Sequence, residues 1–250
     1  MKASFVEKLR DAPPAIGTLV TLGSAEVAEI LSLCGYDWLF IDMEHGPLSI
    51  GQVQDMVRAV RGGCSAIVRV PENAPVWIKR ALDTGCDGLI IPHVNSADEA
   101  QRAVAAAKYP PQGERSAGVG RAHGYGLAFD DYVRGANERV ALVIQVEHID
   151  AVDNLDSILA VEGVDAALIG PYDLSGSMNR LGDVGSAPVQ AAINTVKAKC
   201  REKDVPLGMF VMQAEDAQKE IDDGCRFMAI SVDSVLLAGA AKRALEMIGR

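Results

Sequence analysis

Short runs of apolar residues recur along the whole chain, and most are continuous rather than alternating with polar residues. A continuous apolar run indicates a strand buried on both faces, which is typical of parallel strands covered by helices. We therefore predict eight strands, at residues 18–22, 38–42, 66–70, 88–92, 140–147, 166–170, 207–211 and 227–232.

Segments with helical periodicity separate these runs. Ser24, Ser49 and Ser96 are predicted N-caps, and Pro75 suits the first turn of a helix. Ser96 and Glu99 have the spacing of a capping box. Further helices are predicted at residues 5–9, 151–160, 188–203, 214–222 and 234–248.

Eight alternations of strand and helix within 250 residues predict a (β/α)₈ TIM barrel, with residues 1–250 forming one domain. A doubly wound sheet is the alternative. Such a sheet usually has fewer strands and a glycine-rich turn after the first strand, where this chain has TLGSAE. Residues 108–139 interrupt the alternation, and we predict a functional or disordered loop there.

Composition and charge exclude several classes of protein. Apolar residues make up 49% of the chain, enough for a full core, and the formal net charge is −10. This charge argues against nucleic acid or an anionic membrane as the main partner. No apolar run is long enough to cross a bilayer, and the first residues lack the features of a secretory signal. Five widely spaced cysteines without a CxxC pair indicate reduced thiols, so we expect a cytoplasmic protein.

In a barrel of this kind the active site lies at the carboxyl ends of the strands. Glu147 ends the fifth predicted strand, and Asp173 follows the sixth. Because neighbouring strands lie about 4.8 Å apart, both carboxylates could reach one divalent cation with positions open to substrate. Two solvated loop carboxylates are the alternative interpretation. Gln145 precedes Glu147 by two residues and shares its face of the strand.

Two basic side chains also lie at predicted strand ends. His45 precedes a Gly-Pro turn and is a candidate general base, although a turn histidine often has no special role. Arg69 could bind a substrate carboxylate with its planar fork, or form a structural ion pair with Asp42 or Glu44. No lysine falls at a predicted strand end, which argues against a Schiff-base enzyme.

Several segments in these regions resemble one known family. Five segments are similar to the HpcH/HpaI class II pyruvate aldolases: FIDMEHGPLS, IVRVPENAPVWIKRALDTGCDGLIIPHVNSADEA, YPPQGERSAGVGRA, VIQVEHIDAVDNLDSI and GVDAALIGPYDLSGSM. This family includes 2,4-dihydroxyhept-2-ene-1,7-dioate aldolases and 2-dehydro-3-deoxy-sugar-acid aldolases. The resemblance extends from about residue 15 to residue 240. It implies a barrel that reversibly cleaves 4-hydroxy-2-oxo acids to pyruvate, or hydroxypyruvate, and an aldehyde.

The resemblance also implies roles for single residues. Glu147 and Asp173 would bind Mg²⁺, Mn²⁺ or Co²⁺, and the oxo acid would chelate that metal beside Gln145. Arg69 would stabilise the enolate oxygen.

By the same resemblance, His45 is the base, and Asp83 of a neighbouring subunit orients it. Asp42 would support this region of the site. The family assembles as hexamers, trimers of dimers, with the last helix exchanged between subunits. We expect the same assembly here.

Tyr172 and Phe210 depart from the family pattern in size, so we expect them to line the aldehyde side of the substrate pocket. Three alternative functions remain open from the sequence. They are a metal-dependent isomerase or oxaloacetate decarboxylase that uses the same enolate, an acyl-CoA lyase of the same superfamily, and a carboxylate-binding protein without catalysis.

Overall fold

The computed structural model describes residues 3–11 and 13–249, and within them eight parallel strands close into a barrel in sequence order. This confirms the predicted (β/α)₈ architecture. The strands are β1 (Ala15–Val20), β2 (Trp38–Asp42), β3 (Ser65–Arg69), β4 (Gly88–Ile91), β5 (Ala141–Val146), β6 (Ala166–Ile169), β7 (Leu207–Val211) and β8 (Phe227–Val232).

Most helices follow the strands and cover the outside of the barrel, whereas the first helix precedes β1. They are α1 (Phe5–Arg10), α2 (Ala25–Leu33), α3 (Ile50–Ala59), α4 (Pro75–Asp83), α5 (Ala97–Ala107), α6 (Phe129–Arg139), α7 (Ile149–Asp153), α8 (Leu155–Leu159), α9 (Pro171–Ser177), α10 (Ala187–Glu202), α11 (Ala214–Asp222) and α12 (Asp233–Glu246). None of the helices in the described part of the chain is both long enough and apolar enough to span a membrane.

The strand predictions hold to within one residue except at β1. This strand begins three residues earlier than predicted, because Ala15 pairs with Phe227 and the Ile16 N–H donates to Asp37 Oδ2 (2.9 Å). Gly17 interrupts the apolar run that guided the prediction. The structure shows why glycine stands there, since a Cβ at Gly17 would lie 2.5 Å from the Trp38 ring.

The predicted N-caps are confirmed at Ser24, Ser49 and Ser96, each of which accepts a hydrogen bond from the first turn of its helix. The capping box predicted at Ser96 is only half formed. Glu99 Oε2 accepts from the Asn95 N–H (2.7 Å) instead of from Ser96. A complete capping box forms at Ser49, which was not predicted to have one.

The long connection is the largest departure from the predicted elements. Its second half forms a 3₁₀-helix (Arg121–Gly126) and then α6, so the prediction of a continuous loop is wrong. Because it joins the end of a helix to the start of a strand, this segment lies at the amino-terminal end of the barrel. The single helix predicted at 151–160 is likewise divided, into α7 and α8, at Asn154.

One end of the barrel is closed by aromatic packing. Phe5 of α1 is fully buried, with its ring centroid 5.4 Å from that of Trp38 and 6.0 Å from that of Phe227. Trp38 and Phe227 each begin a strand, so this plug fills the amino-terminal end. The opposite end, at the carboxyl ends of the strands, is called the mouth below.

Candidate active site at the barrel mouth

The parallel register of β2 and β3 brings two oppositely charged side chains together as a buried ion pair at the mouth. Asp42 ends β2 and Arg69 ends β3, and the two residues are direct partners in the ladder. Arg69 Nε donates to Asp42 Oδ1 (2.8 Å) and Nη2 donates to Oδ2 (2.7 Å). Asp42 has no exposed surface. A two-pronged geometry of this kind is needed to offset the cost of taking both charges out of water.

Arg69 has further acidic and polar neighbours. Its Nη1 lies 2.9 Å from Glu44 Oε2 and donates to Gln145 Oε1 (3.3 Å). Burial lowers the pKa of the guanidinium, but the hydrogen bond and charge of Asp42, with the charge of Glu44, raise it by more. Arg69 is therefore cationic at neutral pH.

Glu147 follows β5 and is almost fully buried. Its Oε1 accepts from the His93 N–H (2.8 Å), and its Oε2 accepts a short hydrogen bond from Gln145 Nε2. Burial raises the pKa of the Glu147 carboxyl, against the opposing effect of the His93 hydrogen bond. A buried carboxyl with a raised pKa gains most from a nearby cation, which would stabilise its ionised form.

A second acidic side chain completes a cluster around one imidazole. His93 Nε2 lies 3.1 Å from Glu44 Oε1, and His93 Nδ1 lies 3.3 Å from Glu147 Oε1. The three potential ligand atoms lie within 4.8 Å of one another. Two carboxylates and an imidazole form a donor set that suits a divalent cation.

Asp173 reaches the same region from the next strand. It lies in the first turn of α9, and its side chain is exposed. The turn that leads into α9 approaches Glu147 closely, since a Cβ on Gly170 would lie 3.2 Å from Glu147 Cβ and from Gln145 Nε2. A side chain at position 170 would crowd both residues. The turn between β6 and α9, which leads to Asp173, therefore passes close to Glu147.

A cavity of about 150 Å³ opens at the mouth beside these groups. It combines polar side chains with apolar walls from the barrel interior. Its lining comprises Leu19, Phe40, His45, Arg69, Gln145, Leu168, Ile169, Gly170, Pro171, Tyr172, Asp173 and Phe210. No lysine of the described residues lines it.

Six of the residues singled out in the sequence thus line one cavity: His45, Arg69, Gln145, Tyr172, Asp173 and Phe210. Glu147 adjoins it through Gln145, and Asp42 supports it from beneath Arg69. Asp42 also shapes the turn that carries His45, since Oδ1 accepts from the Glu44 N–H (3.0 Å). The His45 ring is 65% exposed, and its Nε2 lies 3.9 Å from Glu44 Oε2.

Asp83 is a predicted site residue that, within one chain, does not lie at the mouth. It ends α4, and the carboxyl end of that helix lies at the amino-terminal end of the barrel, away from the mouth. Its Oδ1 accepts from Arg115 Nη2 (3.1 Å), and Arg115 is buried against Tyr109 and Tyr132. The predicted pairing of Asp83 with His45 therefore requires a second subunit and stays a prediction.

Sequence reasoning missed two features of this site. The sequence suggested no role for His93, which follows β4 at the mouth as Glu147 follows β5. Gly170 received no role, because its importance lies in the short distance that a Cβ there would have to Gln145 and Glu147. Both depend on the register between strands, which a single sequence does not display.

Comparison with known proteins identifies the family. The family model described as HpcH/HpaI aldolase/citrate lyase matches residues 16–240. A hydroxypyruvate/pyruvate aldolase of Paraburkholderia phytofirmans is 38% identical over 249 residues, covering 96% of this chain and 95% of that protein. A 4-hydroxy-2-oxo-heptane-1,7-dioate aldolase of Escherichia coli is 39% identical over 246 residues, covering 97% of this chain and 93% of its own length.

A solved structure shares the fold along nearly its whole length. The structure of an HpcH/HpaI aldolase/citrate lyase family protein from Burkholderia cenocepacia superposes with a TM-score of 0.94 at 36% identity. The match covers 98% of this chain and 99% of that one. With the barrel, the acidic mouth and the sequence similarity in agreement, the chain belongs to the HpcH/HpaI aldolase/citrate lyase family.

Proposed function

We propose that this protein is a divalent-metal-dependent class II aldolase that cleaves 4-hydroxy-2-oxo acids to pyruvate, or hydroxypyruvate, and an aldehyde. One observation carries the proposal: the buried Glu147 carboxylate and the Arg69 guanidinium meet Gln145 from opposite sides at the mouth. This arrangement supports a site in which an acid that could bind a metal and a permanent cation lie near the oxo acid's developing negative charge. The names of the relatives agree with both donor substrates.

Glu147 and Asp173 would hold the cation, Mg²⁺, Mn²⁺ or Co²⁺. The donor set supports this, because hard carboxylate oxygens suit these ions and Gly170 lets the turn carrying Asp173 approach Glu147. The bound cation would supply Lewis acidity that stabilises negative charge on the keto oxygen. Gln145, fixed between Arg69 and Glu147, would orient the oxo acid beside it.

Arg69 would stabilise the enolate. Its guanidinium is already fixed by Asp42 and Glu44, so it needs no reorganisation when charge develops on the substrate oxygen. This preorganisation is the main electrostatic contribution that the chain itself supplies.

His45 would move the proton. It would accept the proton of the 4-hydroxyl group while the bond between C3 and C4 breaks, releasing the aldehyde and leaving the bonding electrons on the enolate. His45 would then return this proton to C3 of the enolate, directly or through solvent, which gives pyruvate and restores the base. The exposed ring of His45 at the cavity wall is free to approach a substrate hydroxyl.

Asp83 of a neighbouring subunit would orient His45. Two observations support a homo-oligomer, which we propose to be a hexamer with α12 exchanged between subunits. Asp83 is held by the buried Arg115 at the end of its own barrel remote from the mouth. Leu236, Leu237 and Leu245 of α12 are exposed on the isolated subunit.

Tyr172 and Phe210 would line the aldehyde side. Both residues belong to the mouth cavity and also to an adjoining cavity of about 640 Å³ with mainly apolar walls. The free thiols Cys34, Cys86, Cys200 and Cys225 support a reducing, cytoplasmic location. We further propose that residues 1–250 act as one domain.

The test is a cleavage assay with 4-hydroxy-2-oxo acids that measures pyruvate and aldehyde separately. Chelation should abolish cleavage, and Mg²⁺, Mn²⁺ or Co²⁺ should restore it. Glu147→Gln should lower turnover by at least about 100-fold. The control Glu162→Gln alters an exposed acid in the turn leading into β6, at the far end of the barrel, and should retain activity.

The same assay separates the alternatives. Release of carbon dioxide from oxaloacetate without aldehyde formation from any hydroxy-oxo acid would favour the decarboxylase. Turnover only with an acyl-CoA substrate would favour the acyl-CoA lyase. Binding of pyruvate without any turnover would reduce the protein to a carboxylate-binding module.

A further inference from the structure

His93 occupies an unusual position beside the proposed metal ligands. It follows β4, and its imidazole lies between Glu44 and Glu147, with one ring nitrogen near each carboxylate. Its side chain remains 65% exposed, so the ring borders solvent rather than the core.

The backbone at His93 holds the ring against Glu147. The residue has a φ of 54°, in the left-handed region that few residues other than glycine adopt. Its N–H donates to Glu147 Oε1 (2.8 Å), the same oxygen that lies 3.3 Å from its own Nδ1. Backbone strain of this kind persists only where surrounding contacts impose it, and it clusters at functional sites.

The spacing of the three side chains suits shared coordination. Ligand atoms at about 2.0–2.3 Å from one cation lie roughly 3 Å apart when they occupy adjacent positions. The two distances from the His93 ring to carboxylate oxygens are 3.1 and 3.3 Å. Small shifts would therefore bring an imidazole nitrogen and a Glu147 oxygen onto the same ion.

We infer that His93 supplies a nitrogen ligand to the cation held by Glu147, with Glu44 beside it. This inference rests on the proposed metal-dependent function and extends its ligand set. An imidazole ligand favours Co²⁺ over Mg²⁺, which prefers oxygen. The protein should therefore discriminate between transition-metal ions and Mg²⁺ more strongly than two carboxylates would.

The competing interpretation is an ion pair without metal ligation. In that arrangement the ring bridges Glu44 and Glu147 only through hydrogen bonds or charge. The two interpretations differ in whether a histidine nitrogen is bonded to the ion, which can be measured without any reference to turnover.

The experiment is pulsed electron paramagnetic resonance of the Mn²⁺-loaded protein, prepared with natural and with ¹⁵N-labelled histidine. The wild type should show nitrogen hyperfine coupling that changes with the label. His93→Asn tolerates a positive φ and should lose the coupling, and His93→Gly provides a second variant without backbone strain. His148→Asn removes a histidine next to Glu147 in sequence and should keep the coupling.

Metal titration gives a second readout. His93→Asn should weaken Co²⁺ binding by about tenfold or more, with a much smaller change for Mg²⁺. Histidine coupling that is absent from the wild type, or that persists in both His93 variants, overturns the inference. The proposed function survives in either case if Mn²⁺ binds and Glu147→Gln prevents it. Failure of the wild type to bind any of these cations overturns both.

Discussion

At the mouth of the barrel, Arg69 is in contact with three oxygen-bearing side chains. The sequence left two roles open for it, substrate binding and a structural ion pair. The structure confirms the ion pair, and with both predicted partners, Asp42 and Glu44. The contact with Gln145 turns the same guanidinium towards the cavity. One residue therefore stabilises the site and is placed to stabilise an enolate.

Arg69→Lys tests this double role. Lysine keeps the charge but loses the planar fork that meets Asp42 with two hydrogen bonds. We expect turnover in the cleavage assay to fall by about 100-fold or more, and the melting temperature to fall as well. Arg58→Lys, in an exposed pair with Asp55, is the matched control and should change neither. Wild-type turnover in Arg69→Lys would assign Arg69 to structure alone.

At the scale of elements, strands were more predictable than the contacts between them. Continuous apolar runs located all eight strands, because a strand that is buried on both faces has apolar residues at consecutive positions. The rule that polar residues near strand ends face the mouth correctly placed Arg69 and Gln145 at the mouth cavity, with Glu147 beside Gln145. The rule did not predict the contact between His93 and Glu147, because this contact depends on the left-handed backbone conformation of His93 after β4.

The unpredicted helix α6 has a different cause. Phe129, Tyr132, Val133 and Ala136 do have helical spacing, but Gly135 lies among them, and a glycine-rich segment precedes them. Glycine lowers helix propensity, so the local signal was weak. Packing stabilises the helix instead: Ala136 is buried, and the His123 ring stacks on Phe129 at 4.9 Å between centroids.

Helix α12 combines a fixed start with exposed leucines along its length. Its first residue, Asp233, accepts hydrogen bonds from the Thr21 N–H (3.1 Å) and the Leu22 N–H (2.9 Å), which fix its start on the barrel. Beyond that anchor, Leu237 is 63% exposed and Leu245 is 50% exposed. Apolar surface of this extent is typical of a protein interface.

Leu237→Asp should therefore shift the protein to a smaller assembly, because a charge would be buried in the contact between subunits. Size-exclusion chromatography with light scattering measures the mass directly. Lys242→Glu changes a charge on the same helix without altering its apolar surface and should leave the mass unchanged. A wild-type protein that is monomeric at every concentration would contradict the proposed hexamer.

At the scale of the whole molecule, the two ends of the barrel differ in chemistry. The amino-terminal end is filled by Phe5, Trp38 and Phe227, and contributes stability. The mouth gathers buried carboxylates around one guanidinium, an arrangement that costs stability unless a cation or substrate completes it. This division agrees with the general arrangement of (β/α)₈ enzymes.

The most direct test of the account is deuterium uptake at the methyl group of pyruvate in D₂O, followed by mass spectrometry of the recovered pyruvate. Exchange at this carbon reports formation of the enolate without requiring the correct aldehyde. We expect the protein loaded with Mg²⁺ or Co²⁺ to catalyse the exchange, a chelator to stop it, and added metal to restore it. Exchange that continues unchanged after metal removal, together with trapping of pyruvate on a lysine by borohydride, would contradict the account.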